Sequence, residues 1–232
     1  RRSSDLVNMI CPSHGVIWRK DPLKIVAKYQ DWAKAYQENQ ITIIYDTMWN
    51  STRRMAECIA EGLRETDPTL TVKLFNSAVD DKNDIVTEVF KSKAILVGSP
   101  TINYGFLFSI GGIMEMIRGL KFKNKKAAAF GSYGWSGEAV KQITALLQGA
   151  GFDVVNDGLR CQWNPDQATQ ETCRQYGRDF AAAVNASEAK EDEVQTELGD
   201  YNNDEQIGKA AKEHFEDWEK DAREGVKRGY AG

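Results

Sequence analysis

The sequence predicts an α/β fold, a parallel sheet held between two layers of helices. Apolar runs of strand length, rich in β-branched residues, recur at 41–46, 71–76, 93–98, 125–131 and near 152–160. Each is followed by apolar residues at helical spacing, over 52–65, 81–92, 106–119, 137–149 and 166–185. The alternation is strict, so every crossover needs a helix and the helices must cover both faces of the sheet.

The 232 residues carry a net charge of −4 and show no basic stripe, which argues against nucleic acid as a partner. No apolar run approaches the ~20 residues of a membrane span. The start, Arg1-Arg2-Ser3-Ser4, has neither a Met nor an apolar signal core, so the chain reads as a piece of something longer. Cys11, Cys58, Cys161 and Cys173 form no CxxC pair, which excludes zinc-ribbon, rubredoxin-type and thioredoxin-type sites. Buried, reduced thiols in a cytoplasmic protein are the expectation.

Residues 1–20 hold a short apolar stretch and the run Cys11-Pro12-Ser13-His14-Gly15. A connecting helix is expected within 21–39. Asp21 would cap it, Pro22 would take its first position, and Ile25, Tyr29, Trp32 and Tyr36 repeat at helical spacing. Met55, Ile59, Gly62 and Leu63 share one face of the 52–65 helix, and Asp67-Pro68 marks the turn behind it. The 93–98 run is almost wholly apolar, as a central parallel strand should be. Gly111-Gly112 weaken the 106–119 helix but admit close packing. These elements make one domain over 40–186. An acidic linker is expected at 187–204; residues 187–205 hold eight acids against one lysine. An amphipathic helix is expected within 205–232, with Ile207, Ala210, Ala211, His214, Phe215, Trp218 and Ala222 on one stripe.

In an open parallel sheet, ligands bind at the carboxyl ends of the strands, beside the switch in strand order. Three such ends carry unusual loops. The first is Thr47, Met48, Trp49, Asn50, Ser51 and Thr52; the second is Ser99, Pro100, Thr101, Ile102, Asn103, Tyr104 and Gly105. The third is Ser132, Tyr133, Gly134, Trp135, Ser136 and Gly137. A helix N-terminus presents free N–H groups and partial positive charge, which suits a phosphate. Thr47, Ser51 and Thr52 add hydroxyls, and Asn50 enters the left-handed region easily. A polar loop that only caps its helix is the plainer reading. Trp49 at the loop tip tilts against it, because an exposed indole is costly unless it covers something. Trp49, Tyr104, Tyr133 and Trp135 are placed to flank a planar ring.

The motifs Tyr45-Asp46-Thr47-Met48-Trp49-Asn50-Ser51-Thr52 and Phe130-Gly131-Ser132-Tyr133-Gly134-Trp135-Ser136-Gly137 carry a resemblance. They are similar to the flavin loops of the flavodiiron proteins, near the flavorubredoxin type that reduces nitric oxide. The likeness covers about residues 5–186. It implies a flavodoxin-like three-layer sandwich, a five-stranded parallel sheet in order 2-1-3-4-5, and FMN bound by the three loops. Against the simpler flavodoxin pattern Thr-x-Thr-Gly-x-Thr, Trp49 stands for Thr and Asn50 for Gly.

The resemblance also implies that residues 1–20 are the end of a metallo-β-lactamase-like di-iron domain, where His14 matches the last metal ligand. The family's other ligands have no counterpart, since His14 and His214 are the only histidines. In this chain by itself His14 is expected to be a loop histidine without metal. In the complete family architecture, FMN relays electrons from a rubredoxin-like or flavin reductase donor to a di-iron site. There nitric oxide or dioxygen is reduced, and a second subunit of the homo-oligomer supplies the irons.

Three relatives of the fold are excluded. A receiver domain needs an acidic pair after the first strand, where Asp46 stands alone, and a phospho-accepting Asp where Ser99-Pro100-Thr101 stands. A P-loop needs Gly-Lys-Ser/Thr, and a Rossmann domain needs GxGxxG after its first strand; both are missing. The remaining alternative is a flavin-free flavodoxin-like module that binds a partner protein through its acidic tail.

Overall fold

The computed structural model describes residues 7–34 and 36–197. The chain divides into two units, Arg1–Asn185 and Ala186–Gly232, and the sheet belongs to the first. In order, the elements are α1 (Leu23–Ala33), β1 (Glu38–Tyr45), α2 (Ser51–Thr66), β2 (Thr71–Asn76), α3 (Lys82–Lys91) and β3 (Ser92–Gly98). Then come α4 (Phe108–Leu120), β4 (Lys126–Tyr133), α5 (Glu138–Gly149), β5 (Asp153–Val154), β6 (Leu159–Gln162) and α6 (Gln167–Glu197).

The strands pair in parallel in the order β2-β1-β3-β4-β5, as expected, and β6 also pairs with β4. All of β3 is buried. Because successive side chains of a strand point to opposite faces, β3 feeds two cores. Ala94 and Leu96 join Ile41, Ile43, Met55, Ile59, Leu63 and Phe180 on one face. Ile95 and Val97 join Ile44, Ile113, Ile117, Ile143 and Leu147 on the other. The predicted face of α2 is buried throughout, at Met55, Ile59, Gly62 and Leu63. It packs on α6 backbone to backbone. A Cβ on Gly62 would lie 2.0 Å from the Arg174 carbonyl oxygen, and one on Gly177 would lie 2.3 Å from that of Ile59.

The fifth strand differs from expectation: it is two short pieces. Ala127 pairs with Val154 and Phe130 with Leu159, so the pairing breaks after the Val155 N–H reaches Ala127 O at 3.1 Å, with two extra residues on the β5–β6 side. The Ala129 carbonyl thereby loses its strand partner. The Tyr176 hydroxyl of α6 fills the gap, 3.1 Å from Ala129 O and 2.7 Å from Asn156 Oδ1. An unpaired buried carbonyl would be costly, so the side chain makes the break tolerable.

Two further boundaries move. Pro22 is the N-cap of α1 and Asp21 sits at φ 54°, so proline does not occupy the first helical position. The helix ends at Ala33, short of Tyr36, which instead stacks on Phe90 with centroids 5.7 Å apart. At the other end, α6 continues to Glu197, into the stretch expected to be an acidic linker. The rest of that stretch and the expected amphipathic helix of 205–232 lie outside the described residues.

Cys58, Cys161 and Cys173 are buried free thiols as expected, whereas Cys11 is exposed. Burial pushes the Cys173 thiol up to about 12, so it stays protonated. Cys11 and His14 lie on a loop closed by the isolated Ile10–Trp18 bridge, outside the strands of the sheet. Both are exposed there. Among the described residues no helix is long and apolar enough to cross a membrane.

Candidate functional site

The first loop is built on a buried carboxylate. As β1 ends, the Asp46 N–H continues the ladder to Gly98 O at 3.0 Å. Asp46 is 5% exposed. Its Oδ1 accepts the Thr47 N–H at 2.7 Å, and its Oδ2 accepts the Ser109 hydroxyl from the start of α4. Ser109 in turn lies 2.8 Å from the Ser77 hydroxyl beyond β2. Three crossovers are thus tied beneath one loop. Asn50 caps α2 at φ 63°, the left-handed conformation for which asparagine is suited.

What the protein leaves unpaired here is informative. The Asn50 side chain makes no capping hydrogen bond, and the first-turn N–H groups of α2 have no partner within the helix. The Thr47 hydroxyl is buried and has no partner among the described residues. A buried donor without a partner is costly and usually marks a site for something else. A dianionic phosphate would satisfy both at once.

The second loop extends the β3–β4 ladder past its last strand residue: Ser99 N donates to Phe130 O at 3.2 Å and Thr101 N to Ser132 O at 2.9 Å. Ser99 Oγ then accepts the Leu107 N–H at 2.9 Å, which closes the loop's base. Its tip is a tight turn. Ile102 and Gly105 exchange backbone bonds of 3.1 and 2.8 Å, with Asn103 at φ 50° and Tyr104 at φ 59° between them. A two-residue turn with both central φ positive is of the primed type. For an aromatic residue that conformation costs about 1 kcal/mol or more. The Gln142 amide holds it by donating to Tyr104 O at 2.7 Å.

The third loop begins at the end of β4 and closes at Gly137, which caps α5 at φ 84°. Ala139 N donates to Thr101 Oγ1 at 3.3 Å, linking the second and third loops.

The three loops converge, as their strand order requires, on one cavity of about 820 Å³. Met48, Trp49 and Ser51 line it from the first loop, Pro100 to Tyr104 from the second, and Ser132 to Ser136 from the third. Thr47, Asn50, Thr52, Ser99 and Gly137, also expected at the site, are not on its wall but lie in the loops that form it. Trp163 and Asn164, which follow β6, line it as well and were missed. An aromatic residue at the carboxyl end of a strand was the mark used for the other loops, and it would have found Trp163. Trp49, Tyr104 and Trp135 stand out into solvent, at 86%, 76% and 90% exposure. Hydroxyls and exposed rings brought together in one cavity suit a planar molecule with an anionic tail.

A 2-1-3-4-5 parallel sheet with such a loop opening the helix after its first strand defines the flavodoxin class of α/β proteins. The family model described as Flavodoxin matches residues 43–177, and the chain belongs to that family. Within it, the flavodoxin region is of the kind found in flavodiiron proteins. Over 175 residues the chain is 53% identical to the anaerobic nitric oxide reductase flavorubredoxin of Klebsiella pneumoniae, covering 75% of this chain and 36% of that protein. The chain therefore spans about a third of the curated relatives it matches. Among solved structures, rubredoxin oxygen:oxidoreductase from Desulfovibrio gigas is 36% identical with a TM-score of 0.73, covering 79% of this chain and 46% of that one. The flavodiiron protein of Giardia intestinalis is 29% identical with a TM-score of 0.71, covering 78% and 45%.

Proposed function

We propose that this chain is the FMN-binding electron-transfer domain of a flavodiiron nitric oxide or dioxygen reductase. The carrying observation is the buried, unpaired Thr47 hydroxyl in the loop that leads to the α2 N-terminus, a loop whose Met48, Trp49 and Ser51 line a cavity with exposed rings. Bound FMN supplies one- and two-electron redox chemistry between an electron donor and a metal centre. The protein's own part is to hold and orient. Thr47, Ser51 and the first-turn N–H groups of α2 take the phosphate. Trp49, Tyr104, Tyr133 and Trp135 flank the ring, and backbone groups of the second and third loops meet its polar edge.

In the whole protein, a rubredoxin-like or flavin reductase donor supplies electrons, and the di-iron domain of a second subunit receives them. Residues 1–20 are the end of such a di-iron domain, and His14 becomes a ligand only when the remaining ligands are present. Among the described residues no cluster of three or more His, Cys, Asp or Glu could hold a metal. With His14 and His214 as its only histidines, the chain alone should not reduce nitric oxide or dioxygen beyond slow oxidation of its flavin.

The visible spectrum of the purified chain and a titration with FMN test the reading. A yellow protein that releases FMN, not FAD, at about one per chain is expected, since one phosphate end closes the site. Protein that stays colourless after FMN addition would overturn it.

A further inference from the structure

We propose that Trp163 is a positioning residue: it orients Trp135, and with it the third loop, toward the ring bound in the cavity. This rests on the FMN reading above.

Trp163 lies just beyond β6 at φ 61°, a conformation that bulky side chains avoid. Two contacts hold it there. Its N–H donates to Tyr133 O at 2.7 Å, extending the β4–β6 pairing by one residue. Its six-membered ring lies on the Gly134 backbone, where a Cβ would sit 3.0 Å from Cζ3 and 3.1 Å from Cη2. Glycine at 134 is thus what lets the indole reach the loop.

The indole then meets Trp135 edge to face, with centroids 5.4 Å apart and planes at 76°. Trp135 is 90% exposed. This edge contact is the one aromatic contact it makes among the described residues. An exposed indole has several rotamers of similar energy, and a single ring contact selects among them.

Neighbouring residues brace the arrangement. Gln162 Nε2 donates to Gly134 O at 3.1 Å. Asn164 Oδ1 accepts from Arg54 Nη1 of α2 at 3.2 Å, which ties this fourth loop to the helix that follows the first loop. Strained backbone tends to gather where function needs it. Asn103, Tyr104 and Trp163 are three of the seven non-glycine residues at positive φ among the described residues, and all three line this cavity.

A Trp135 already set at its working angle spends no rotamer freedom when the ring enters, so losing the contact should weaken binding without removing any direct donor. The test uses the full chain with 5-fluorotryptophan, the Trp135 resonance being assigned by its absence in Trp135→Phe. Without FMN, Trp163→Ala should move that resonance to the position of a free indole, while Trp163→Phe leaves it near its original place. A resonance that Trp163→Ala does not move overturns the positioning role, whether or not the chain binds flavin.

FMN titrations supply the second arm. Trp163→Ala should weaken FMN binding roughly threefold to tenfold, and Trp163→Phe should restore most of it. In a Trp135→Ala background, Trp163→Ala should add less than about a twofold loss, because both changes remove one coupled unit. Full additivity would mean that Trp163 acts on its own and would sink the proposal. A wild-type chain that takes up no FMN would remove the functional reading, and the fluorine resonance would then decide the positioning role by itself.

Discussion

Thr52 and Ser132 face each other with hydroxyl oxygens 3.0 Å apart, and both residues are buried. They belong to the first and third loops, whose strands β1 and β4 are separated by β3. One side-chain bond therefore ties the first loop to the third across the intervening strand.

Thr52→Val keeps the shape and removes the partner of Ser132. A buried hydroxyl left unsatisfied costs about 1–3 kcal/mol. We expect a loss of that order in chemical denaturation. Adding Ser132→Ala should recover part of it, since replacing both partners approaches neutrality. A double variant less stable than the single one would contradict this account of the bond.

Trp49→Ala and Trp135→Ala should behave quite differently. Both indoles are almost fully exposed, so the thermal midpoint of the flavin-free chain should barely move. FMN affinity should fall by ~1 kcal/mol for each ring face lost. Unchanged affinity in both variants would shift the ring contact to Tyr104 and Tyr133.

Two glycine substitutions should have opposite signs. At Gly62 a methyl group would meet the Arg174 carbonyl at 2.0 Å, so Gly62→Ala must push α2 and α6 apart at a cost of roughly 1–3 kcal/mol. Gly112 in α4 is exposed, and a methyl there meets nothing within 4 Å. Gly112→Ala should stabilise by about 0.5–1 kcal/mol through helix propensity. Urea midpoints of the two variants, one lowered and one raised, check both.

Lys125 supplies a pH signature. It is 3% exposed, and its ammonium donates to the Phe90 carbonyl at 2.9 Å and to those of Tyr36 and Ser92. Burial pulls its pKa from 10.5 down to about 8. Between these values the folded chain has released the proton while the unfolded chain still holds it. The unfolded state then binds more protons, so stability rises with pH across that window. Relative to Lys125→Met, the wild-type chain should gain stability from about pH 8 to 10.5. A stability difference independent of pH over that range would refute the depressed pKa.

The sequence by itself determined the alternation of strand and helix, the central place of β3, the buried face of α2 and the chemistry of the three loops. Those properties are local. A strand buried on both faces is apolar throughout, a half-buried helix repeats every three to four residues, and a phosphate loop must carry hydroxyls where its helix begins. The likeness of two eight-residue loops to flavodiiron sequences added the strand order. Only the tertiary structure decided the break between β5 and β6, because it depends on the Tyr176 hydroxyl arriving from α6 to satisfy Ala129. The same holds for Tyr36, drawn out of α1 to stack on Phe90. It holds for Trp163 as well. The offset at the strand break sets the register that carries β6 alongside Tyr133, and that register brings an indole 29 residues distant in sequence onto Gly134. Contacts of this kind arise from how separate elements meet, and no periodicity within either element encodes them.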